Sequence, residues 1–404
     1  MIIRSKSEND VYKWNMSYLM MKLFPEMKVR FKFKNRRAGE KFDAKFIEDI
    51  KLEFTKLRML KLSDEEKAFM KKQFWWIPGW YFDWYQHADI FRPEAINPYL
   101  DESGEFQCVM EDYGYIGTFW ETNVLPIFSE LRNRAYGYTY DKMNEKEALE
   151  LLREQIALSN SHQLKFSEFG LRRRFNAVWQ DKVDDIIAAE AKYCVGNSNV
   201  YEAYRLGQKI SGTQAHEIYM AYNAIYGYRE GNYKCVKDWM EVFNGHAGIL
   251  LGDTIGLDAF LKCLTTLYAK ASSGYRHDSG PWEVATTKYI KRLGELRVDP
   301  MSKSIIYSNS INMWDLDDIG NNVRGRVGDF AGGIGGALTN NIPEMPLANP
   351  NIVMKLDAVQ LDKNSPWIPC VKCPDEPGKY MGNPKEVEYC MYATNRLEEY
   401  EKYK

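Results

Sequence analysis

The stretch "AGILLGDT" at residues 247–254 has the composition of a buried β-strand that ends in a polar pair. Three aliphatic residues follow a glycine, and Asp253 and Thr254 come shortly after them. The next residues, "GLDAFLKCLTTLYA" at 256–269, have the apolar spacing of a helix. We therefore predict a strand followed by a helix, with Asp253 where the strand ends.

The same alternation continues along the chain. "EKEALELLREQIAL" (145–158) predicts an amphipathic helix, and "KSIIYSNS" (303–310) and "NIVMKLDAVQ" (351–360) predict further strands. Strands that alternate with helices predict a parallel sheet or a barrel. Near the N-terminus, "KVRFKFKNRR" (28–37) instead alternates apolar and basic residues with period two, as a strand with one wet face would.

Polar side chains collect where the predicted strands end. "SSGYRHDSGPWE" (272–283) places a cation, an imidazole, a carboxylate and a hydroxyl at one bend, at Arg276 to Ser279. Further hydroxyls follow the next strand at Ser308 to Ser310. In parallel sheets and barrels chemistry gathers beyond the carboxyl ends of the strands. The pattern therefore indicates an enzyme, because a solvated turn would need only the glycine and the proline.

The overall charge is balanced. The 404 residues carry 54 basic and 56 acidic side chains, for a formal net charge of -2. This balance gives no global reason to expect a nucleic acid or an anionic membrane as partner, so a local cluster must bind any anion. The N-terminus lacks the apolar core of a signal peptide, and runs such as "AGGIGGAL" (331–338) are too short to cross a bilayer. We expect a soluble, cytoplasmic protein.

The cysteines are seven in number and scattered, which favours reduced thiols. "CVKC" places Cys370 and Cys373 near Cys390, and these three resemble part of a structural zinc site. Such a site needs four ligands, and the fourth would have to be Cys108 from elsewhere in the fold. Ordinary thiols are the favoured interpretation, and the zinc site stays open.

Two segments are suited to anions. In "FSEFGLRRRF" (166–175) the residues Arg172, Arg173 and Arg174 follow a glycine, and guanidinium groups bind phosphate or carboxylate in a bidentate manner. "DFAGGIGGALTNN" (329–341) is rich in glycine, which lets backbone N–H groups approach a phosphate. Taken singly, three arginines are more often a solvated face, and a glycine-rich loop is weak evidence. The glycine loop lacks the residues of a P-loop or of a dinucleotide-binding fingerprint.

Two further segments precede predicted helices. In "VGNSNVYEAYRLG" (195–207), Ser198 and its neighbours are ordinary helix caps, although a helix start can also bind an anion. "SGTQAHEIY" (211–219) brings His216 beside a glutamate. A lone histidine there usually makes a structural hydrogen bond, but it can also act as a base or as a phosphoryl acceptor.

These segments together resemble the nicotinate phosphoribosyltransferase family. "DVYKWNM", "SEFGLRRRF", "VGNSNVY", "SGTQAHE", "GDTIGLDAFL", "YRHDSG", "IIYSNS" and "GGIGGALTNNIP" follow in that family's order along nearly the whole chain. The resemblance implies an α/β fold, an irregular α/β barrel of the type II phosphoribosyltransferase kind. It also implies a mixed α+β N-terminal domain at 1–125, completed by the C-terminal tail at 350–404, with the barrel at 126–349.

The resemblance implies the reaction as well. Nicotinate and 5-phosphoribosyl 1-pyrophosphate (PRPP) would give nicotinate mononucleotide and pyrophosphate in the salvage of NAD, with ATP hydrolysed to ADP and phosphate. Mg²⁺ would accompany PRPP and ATP, without a metal held by the protein alone. The resemblance further implies a homodimer with active sites at the subunit interface.

Several roles are implied for residues that match the family's motifs. Phe169 matches the ring that stacks on the pyridine, and Tyr12 matches the opposing ring from the other subunit. Arg172 and Arg276 match cations near the carboxylate and the pyrophosphate, and Asp278 matches the carboxylate near the ribose. The 5-phosphate cradle is matched by Ser308, Gly335 and Gly336.

The resemblance also assigns the ATP-linked step and the choice of base. His216 matches the histidine that ATP phosphorylates, and Asp253 matches an acid that orients it. Ser198 stands where nicotinamide-using relatives have an Asp, so a hydroxyl donor there, beside Arg173 and Arg174, favours nicotinate. The alternatives are a nicotinamide phosphoribosyltransferase and a catalytically inactive ligand-binding homologue.

This chain departs from the family pattern around the phosphates. Pro281 and Trp282 follow Gly280 where relatives usually have an acidic residue. "YSNS" lacks an Asp that commonly follows its first Ser, and Gly336 replaces a frequent Thr. These changes bear on the coupling to ATP and on the binding of PRPP more than on the class of reaction.

Overall fold

The computed structural model describes residues 1–37 and 39–403. The strands in these residues form two sheets, one antiparallel and one parallel. They are β1 (Lys28–Asn35), β2 (Ile96–Leu100), β3 (Phe106–Tyr113), β4 (Phe166–Glu168), β5 (Cys194–Asn197), β6 (Ile249–Leu251), β7 (Gly274–His277), β8 (Ser304–Tyr307), β9 (Asp329–Ile334), β10 (Ile352–Gln360) and β11 (Ile368–Pro369).

Helices connect these strands and cover them. They are α1 (Val11–Leu23), α2 (Ala44–Leu57), α3 (Asp64–Gln73), α4 (Gly79–His87), α5 (Gly114–Gly117), α6 (Glu121–Ala135), α7 (Glu145–His162), α8 (Ala177–Glu190), α9 (Val200–Arg205), α10 (His216–Tyr226), α11 (Gly231–Val242), α12 (Leu257–Cys263), α13 (Thr266–Ala271), α14 (Trp282–Glu295), α15 (Met313–Val323), α16 (Gly336–Thr339), α17 (Pro384–Ala393) and α18 (Leu397–Glu401). In the part of the chain that the structure describes, none of them is both long and apolar enough to span a membrane.

The antiparallel sheet has the order β11-β10-β1-β3-β2. Its strand β1 buries Val29, Phe31 and Phe33, as its period-two pattern predicts. The C-terminal strands β10 and β11 join this N-terminal sheet, and β10 pairs with β1 along its whole length. The chain therefore returns from the parallel sheet to complete the N-terminal one, whereas the exact domain limits at 125 and 349 stay a prediction.

The parallel sheet has six strands in the order β5-β4-β9-β8-β7-β6. Ladders join each strand to its neighbours in this order, and among the described residues none joins the edge strands β5 and β6. The α/β fold is thus confirmed, with a parallel sheet that is open between these two edges. Each strand ends next to a residue singled out above: Phe169 after β4, Ser198 after β5, Asp253 after β6, Asp278 after β7, Ser308 after β8 and Gly335 after β9.

The predicted helix at 256–269 is two helices, α12 and α13. Leu264 has an extended backbone, and the side chain of Thr265 accepts a hydrogen bond from the backbone N–H of Tyr268. Threonine is a good N-cap residue, so it begins a new helix where apolar periodicity alone predicts a continuous one.

Candidate active site

A cavity of about 750 Å³ lies at the carboxyl ends of the parallel strands. Its wall is also formed by the antiparallel sheet, which contributes Val353 and Lys355 of β10. Among the described residues that line it, the carboxylates are Asp278 and Glu376. The cations are more numerous: Arg36, Arg172, Arg173, Arg276, Lys355, Lys372 and Lys379. This excess of positive charge suits an anionic ligand, and especially one with several phosphates.

Asp278 is the centre of a hydrogen-bonded cluster at this cavity. Its Oδ1 accepts from Nη2 of Arg276 at 2.8 Å and from Oγ of Ser308 at 2.8 Å. Its Oδ2 lies 2.9 Å from Nε2 of His216. Arg276 also donates from Nε to Ser308 Oγ at 2.7 Å. Four residues predicted for the site are therefore held in one network, although they come from β7, β8 and α10 and the residues beside them.

Opposite charges keep Asp278 ionised. Burial alone would raise the pKa of its carboxyl group, but the charge of Arg276 and the hydrogen bond with His216 outweigh burial and hold the pKa well below its usual value. An ionised carboxylate only accepts hydrogen bonds, so Nε2 of His216 carries the proton that it shares with Asp278. Nδ1 of His216 then keeps its lone pair.

His216 is a neutral imidazole at physiological pH. Burial and the nearby positive charge of Lys372 lower its pKa to about 4, against the opposing effect of Asp253 and Asp278. Its Nδ1 lies 3.0 Å from Oγ1 of Thr254 and 3.9 Å from Oδ1 of Asp253. The predicted partner Asp253 is thus close to the ring, but Thr254 makes the direct hydrogen bond.

The two predicted aromatic rings line the cavity of one chain. Phe169 and Tyr12 both belong to its wall, whereas the resemblance implied that the tyrosine comes from a second subunit. The ring of Phe169 needs a glycine beneath it, because a Cβ on Gly333 would lie 2.6 Å from the ring. Arg172 lies over the Tyr12 ring at 5.6 Å, and Arg276 over the Phe169 ring at 5.9 Å. Each ring is therefore paired with a cation.

The three consecutive arginines have different surroundings. Arg172 and Arg173 line the cavity. The side chain of Arg174 is fully buried, and it donates to Oε1 of Glu8 at 2.5 Å and to the carbonyl of Ile2 at 2.7 Å. Arg174 therefore anchors the N-terminal segment, and it is not a binding cation beside Ser198 as expected above.

Ser198 lies behind the cavity wall. It is buried, and its Oγ donates to Oδ1 of Asp10 at 2.8 Å. Its only hydroxyl proton is thus engaged inside the protein, and Ser198 is not among the described residues that line the cavity. The hydrogen bond from this serine to a substrate carboxylate, expected above, is not set up by this arrangement.

The glycine-rich segment does reach the cavity. Gly335 and Gly336 line it together with Ser308, as the resemblance implied for a phosphate cradle. A Cβ on Gly336 would lie 2.7 Å from Nδ2 of Asn349, so a threonine at this position would need that amide to move. The glycine at this position therefore leaves room for the Asn349 amide.

Sequence patterns did not single out four of the lining cations. Arg36, Lys355, Lys372 and Lys379 all come from the N-terminal or C-terminal parts of the chain. Lys372 is the middle of "CVKC", where attention falls on the cysteines. Its backbone exchanges hydrogen bonds with Met381 at 2.9 Å in each direction, which fixes the residue on a short bridge beside the site. The sequence feature that could have indicated a binding role for Lys372 is its position as a charged residue between Val371 and Cys373.

The cysteines of this motif are free and buried. Sγ of Cys370 donates to the carbonyl of Ile368 at 3.9 Å. Among the described residues, one group of three or more His, Cys, Asp or Glu side chains has donor atoms that all lie within 4.8 Å of one another, and it is His216, Asp253 and Asp278. In the described part of the chain, possible metal ligands in such a group therefore meet beside the cavity and not at Cys370, Cys373 and Cys390.

Comparisons with known proteins identify the family of this chain. Residues 164–393 match the model of the Nicotinate phosphoribosyltransferase (NAPRTase) family, and residues 8–129 match that of its N-terminal domain. The nicotinate phosphoribosyltransferase of Desulforapulum autotrophicum is 30% identical over 98% of this chain and 100% of its own length, and that of Chromohalobacter salexigens is 31% identical over 96% and 97%.

Solved structures give the same result. The crystal structure of nicotinate phosphoribosyltransferase from Porphyromonas gingivalis superimposes with a TM-score of 0.93 at 34% identity, and covers 98% of this chain and 100% of its own. That of the Vibrio cholerae protein gives 0.89 at 25% identity over 98% and 94%. Because its sequence and its fold both match these proteins, this chain belongs to the nicotinate phosphoribosyltransferase family.

Proposed function

We propose that this chain catalyses the reaction for which its family is named. Nicotinate and PRPP give nicotinate mononucleotide and pyrophosphate, coupled to hydrolysis of ATP, as an entry to NAD through salvage. The observation that carries the proposal is the cavity itself, where two aromatic rings and seven cations surround the Asp278 cluster. The homodimer that the resemblance implies and the cytoplasmic location that the sequence predicts both stay predictions.

The two rings form the site for the base. Tyr12 and Phe169 offer aromatic faces to a flat pyridine ring, and stacking of this kind is insensitive to the ring's substituents. The substituent must therefore be recognised by charge. Arg172 lines the same cavity beside the Tyr12 ring, and a guanidinium pairs well with the carboxylate of nicotinate.

The remaining cations receive PRPP. Ser308, Gly335 and Gly336 would hold the 5-phosphate, and Arg276 and Lys372 would face the pyrophosphate. In the reaction the pyridine nitrogen forms a bond to C1 of the ribose while the bond from C1 to the pyrophosphate oxygen breaks. Positive charge develops on the ribose as the pyrophosphate leaves, and the ionised Asp278 would stabilise it.

His216 would link ATP to this transfer. The lone pair of Nδ1, which accepts from Thr254 in this structure, would be released to attack the γ-phosphoryl group, so that an N–P bond forms while the bond from phosphorus to the ADP oxygen breaks and ADP leaves. Water then hydrolyses the phosphohistidine to phosphate. A phosphohistidine beside the pyrophosphate site adds negative charge among the cations, and this charge would reorganise how PRPP and pyrophosphate are held.

The residues present also fit Mg²⁺. Oδ1 of Asp253 is buried, and within the described residues it has no hydrogen-bond partner. Donor atoms of Asp253 and Asp278 lie within 4.8 Å of each other, and carboxylate oxygens are the ligands that Mg²⁺ prefers. These two residues would hold the ion, which would supply neutralising charge to the pyrophosphate.

Lys372 makes PRPP binding sensitive to alkaline pH. Burial lowers the pKa of its ammonium group to about 8, against the opposing charges of Asp253 and Asp278. Because the charged form is lost as the pH rises through 8, the KM for PRPP is expected to increase about tenfold between pH 7 and 9.5, the effect of one charged contact. Steady-state kinetics over this range measure the increase.

The matched variant for this test is Lys372→Arg, because an arginine stays charged throughout this range. Its KM for PRPP should be nearly independent of pH, whereas Lys165→Arg, whose side chain pairs with Asp329 at the surface, should keep the increase. An increase that survives in Lys372→Arg would exclude Lys372 as its source.

A product assay tests the proposed function. The chain is incubated with PRPP and Mg²⁺ and either nicotinate or nicotinamide, each with and without ATP. We expect nicotinate mononucleotide, formed faster with ATP. If product forms with nicotinamide and not with nicotinate, the nicotinamide-using alternative is correct. If no product forms with either base, the inactive ligand-binding homologue is favoured.

A further inference from the structure

The side chain of Asp10 has an unusual position for the residue that precedes a helix. Asp10 is the N-cap of α1, where an aspartate ordinarily accepts a hydrogen bond from the first turn. Here it caps nothing, and it is 2% exposed. Its two oxygens are directed instead toward residues of the base site.

Three contacts define this arrangement. Oδ2 of Asp10 accepts from the hydroxyl of Tyr12 at 2.9 Å and lies 3.3 Å from Nε of Arg172. Oδ1 accepts from Oγ of Ser198 at 2.8 Å. The resemblance assigns these three residues, together with Phe169, to the binding of the base. One carboxylate therefore contacts all of them except Phe169.

The backbone holds Asp10 in place. The N–H of Val11 donates to the carbonyl of Ser198 at 2.9 Å, and the N–H of Val200 donates to the carbonyl of Asn9 at 3.0 Å. Asp10 and Asn199 therefore form an antiparallel bridge. This bridge holds the backbone of Asp10 beside the carboxyl end of β5, so the carboxylate is positioned independently of Arg172.

The contact with Arg172 has a consequence for specificity. Nε of Arg172 faces Asp10, and Nη1 lies 3.6 Å from Glu121. Lys13 and Lys355 bind the same Glu121, at 2.7 Å and 3.1 Å, and offset its charge. Arg172 is thus held from behind at two points while it lines the cavity. The hydroxyl of Ser198 already donates its hydrogen bond to Asp10.

We propose that Asp10 is the positioning residue that sets the preference for a carboxylate-bearing base, by holding Arg172 and Tyr12 in their binding geometry. This inference rests on the proposed function. Ser198 contributes by binding Asp10, and it makes no bond of its own to the substrate. The preference for nicotinate therefore depends on a carboxylate that does not line the cavity.

The variant Asp10→Asn tests this role. The amide keeps the size of the side chain but has one acceptor oxygen in place of two and no negative charge, so the ion pair that positions Arg172 is lost. We expect the KM for nicotinate to rise about tenfold, with the KM for PRPP and the kcat within about twofold. The KM for nicotinamide, if it is used, should change less, because that base has no carboxylate for Arg172.

The sign of the change separates positioning from simple charge. Removing a negative charge beside Arg172 would, by itself, strengthen binding of the anionic base. Weaker nicotinate binding in Asp10→Asn can therefore come only from lost geometry. Unchanged or tighter binding, measured by calorimetry with nicotinate, would overturn the proposal.

A double variant provides the second measurement. If Asp10 acts through Arg172, then Asp10→Asn should raise the KM for nicotinate by less than about twofold in an Arg172→Gln background. Equal effects in both backgrounds would overturn the proposal. Asp112→Asn is the matched control, because Asp112 is also buried and paired with an arginine, Arg92, but lies on β3 outside this cavity.

The two possible failures can be distinguished. If the unmodified chain forms no nicotinate mononucleotide, the proposed function fails. If it forms the product and Asp10→Asn does so with unchanged kinetics, only the role of Asp10 fails. If Asp10→Asn and Asp112→Asn raise every KM alike, a general loss of structure explains the result and the positioning role is rejected.

Discussion

The Asp278→Asn variant is expected to turn over about 10² to 10³ times more slowly than the unmodified enzyme, the range for loss of a preorganised group that faces developing charge. Asparagine keeps the size of the side chain but removes the negative charge. The amide has one acceptor oxygen where the carboxylate has two, so the contacts with Arg276, Ser308 and His216 cannot all persist. The kcat with saturating nicotinate and PRPP, without ATP, measures the effect.

The control for this variant is Asp329→Asn. Asp329 is at the amino end of β9, whereas Asp278 follows the carboxyl end of β7, so the two residues lie at opposite ends of the parallel strands. The surface pair of Asp329 with Lys165 contributes little to stability. The control variant should keep its kcat within about twofold, since surface substitutions of this kind are nearly neutral. If the kcat of Asp278→Asn matches that of this control, Asp278 does not stabilise the transition state. Circular dichroism of both variants checks that the fold is retained.

The His216→Ala variant is expected to lose the stimulation by ATP completely. Without the imidazole there is no acceptor for the γ-phosphoryl group, so protein labelled from γ-³²P ATP should fall to background. Transfer from PRPP to nicotinate should persist at the rate that the unmodified enzyme shows without ATP, because Asp278 and Arg276 remain. Filter binding of labelled protein and the product assay measure the two effects separately.

His162→Ala is the matched histidine control. His162 is half-exposed and pairs with Asp317 at the surface, so its removal should leave labelling unchanged. Because His216 has a pKa of about 4, labelling of the unmodified enzyme should also persist down to about pH 5, where an ordinary histidine would be protonated. Labelling that survives in His216→Ala would show that ATP acts elsewhere.

The structure also bears on how the site is assembled. Tyr12 and Phe169 line one cavity within a single chain, and α1, which follows Asp10, is attached to β5 by backbone hydrogen bonds. Both rings proposed for the base therefore line the cavity of one chain. The homodimer and the contribution of a second subunit, which the resemblance implied, stay predictions.

Much of the α/β fold could be predicted from local patterns. The apolar run of β6, the alternation in β1 and the amphipathic spacing of α7 each depend on neighbouring residues, and each element forms where predicted. The break between α12 and α13 was missed because one capping threonine outweighs the apolar periodicity. The strand β10 was predicted as a strand, but its place in the antiparallel sheet was not decided by its own sequence.

The candidate site was predictable to the extent that it lies at strand ends. Arg276 lies near the carboxyl end of β7, and Asp278 and Ser308 follow β7 and β8 directly. Parallel strands place such residues at the same end of the sheet, whatever the helices between them contain. Phe169 and the glycines of the cradle follow the same rule. These residues were found because sequence position and spatial position are linked by the direction of the strand.

Other parts of the site were decided only by tertiary structure. Ser198 and Asp10 are separated by 188 positions, and the residues next to the serine in the sequence do not show that its hydroxyl donates to that carboxylate. Arg172 and Arg174 differ by two positions, yet one lines the cavity and the other is buried against Glu8. The sequence by itself determined which strands and helices form and which of their ends carry chemistry, because these depend on short-range periodicity. Burial, hydrogen-bond partners and the pKa values that follow depend on distant segments, so only the folded chain decided which candidates line the cavity.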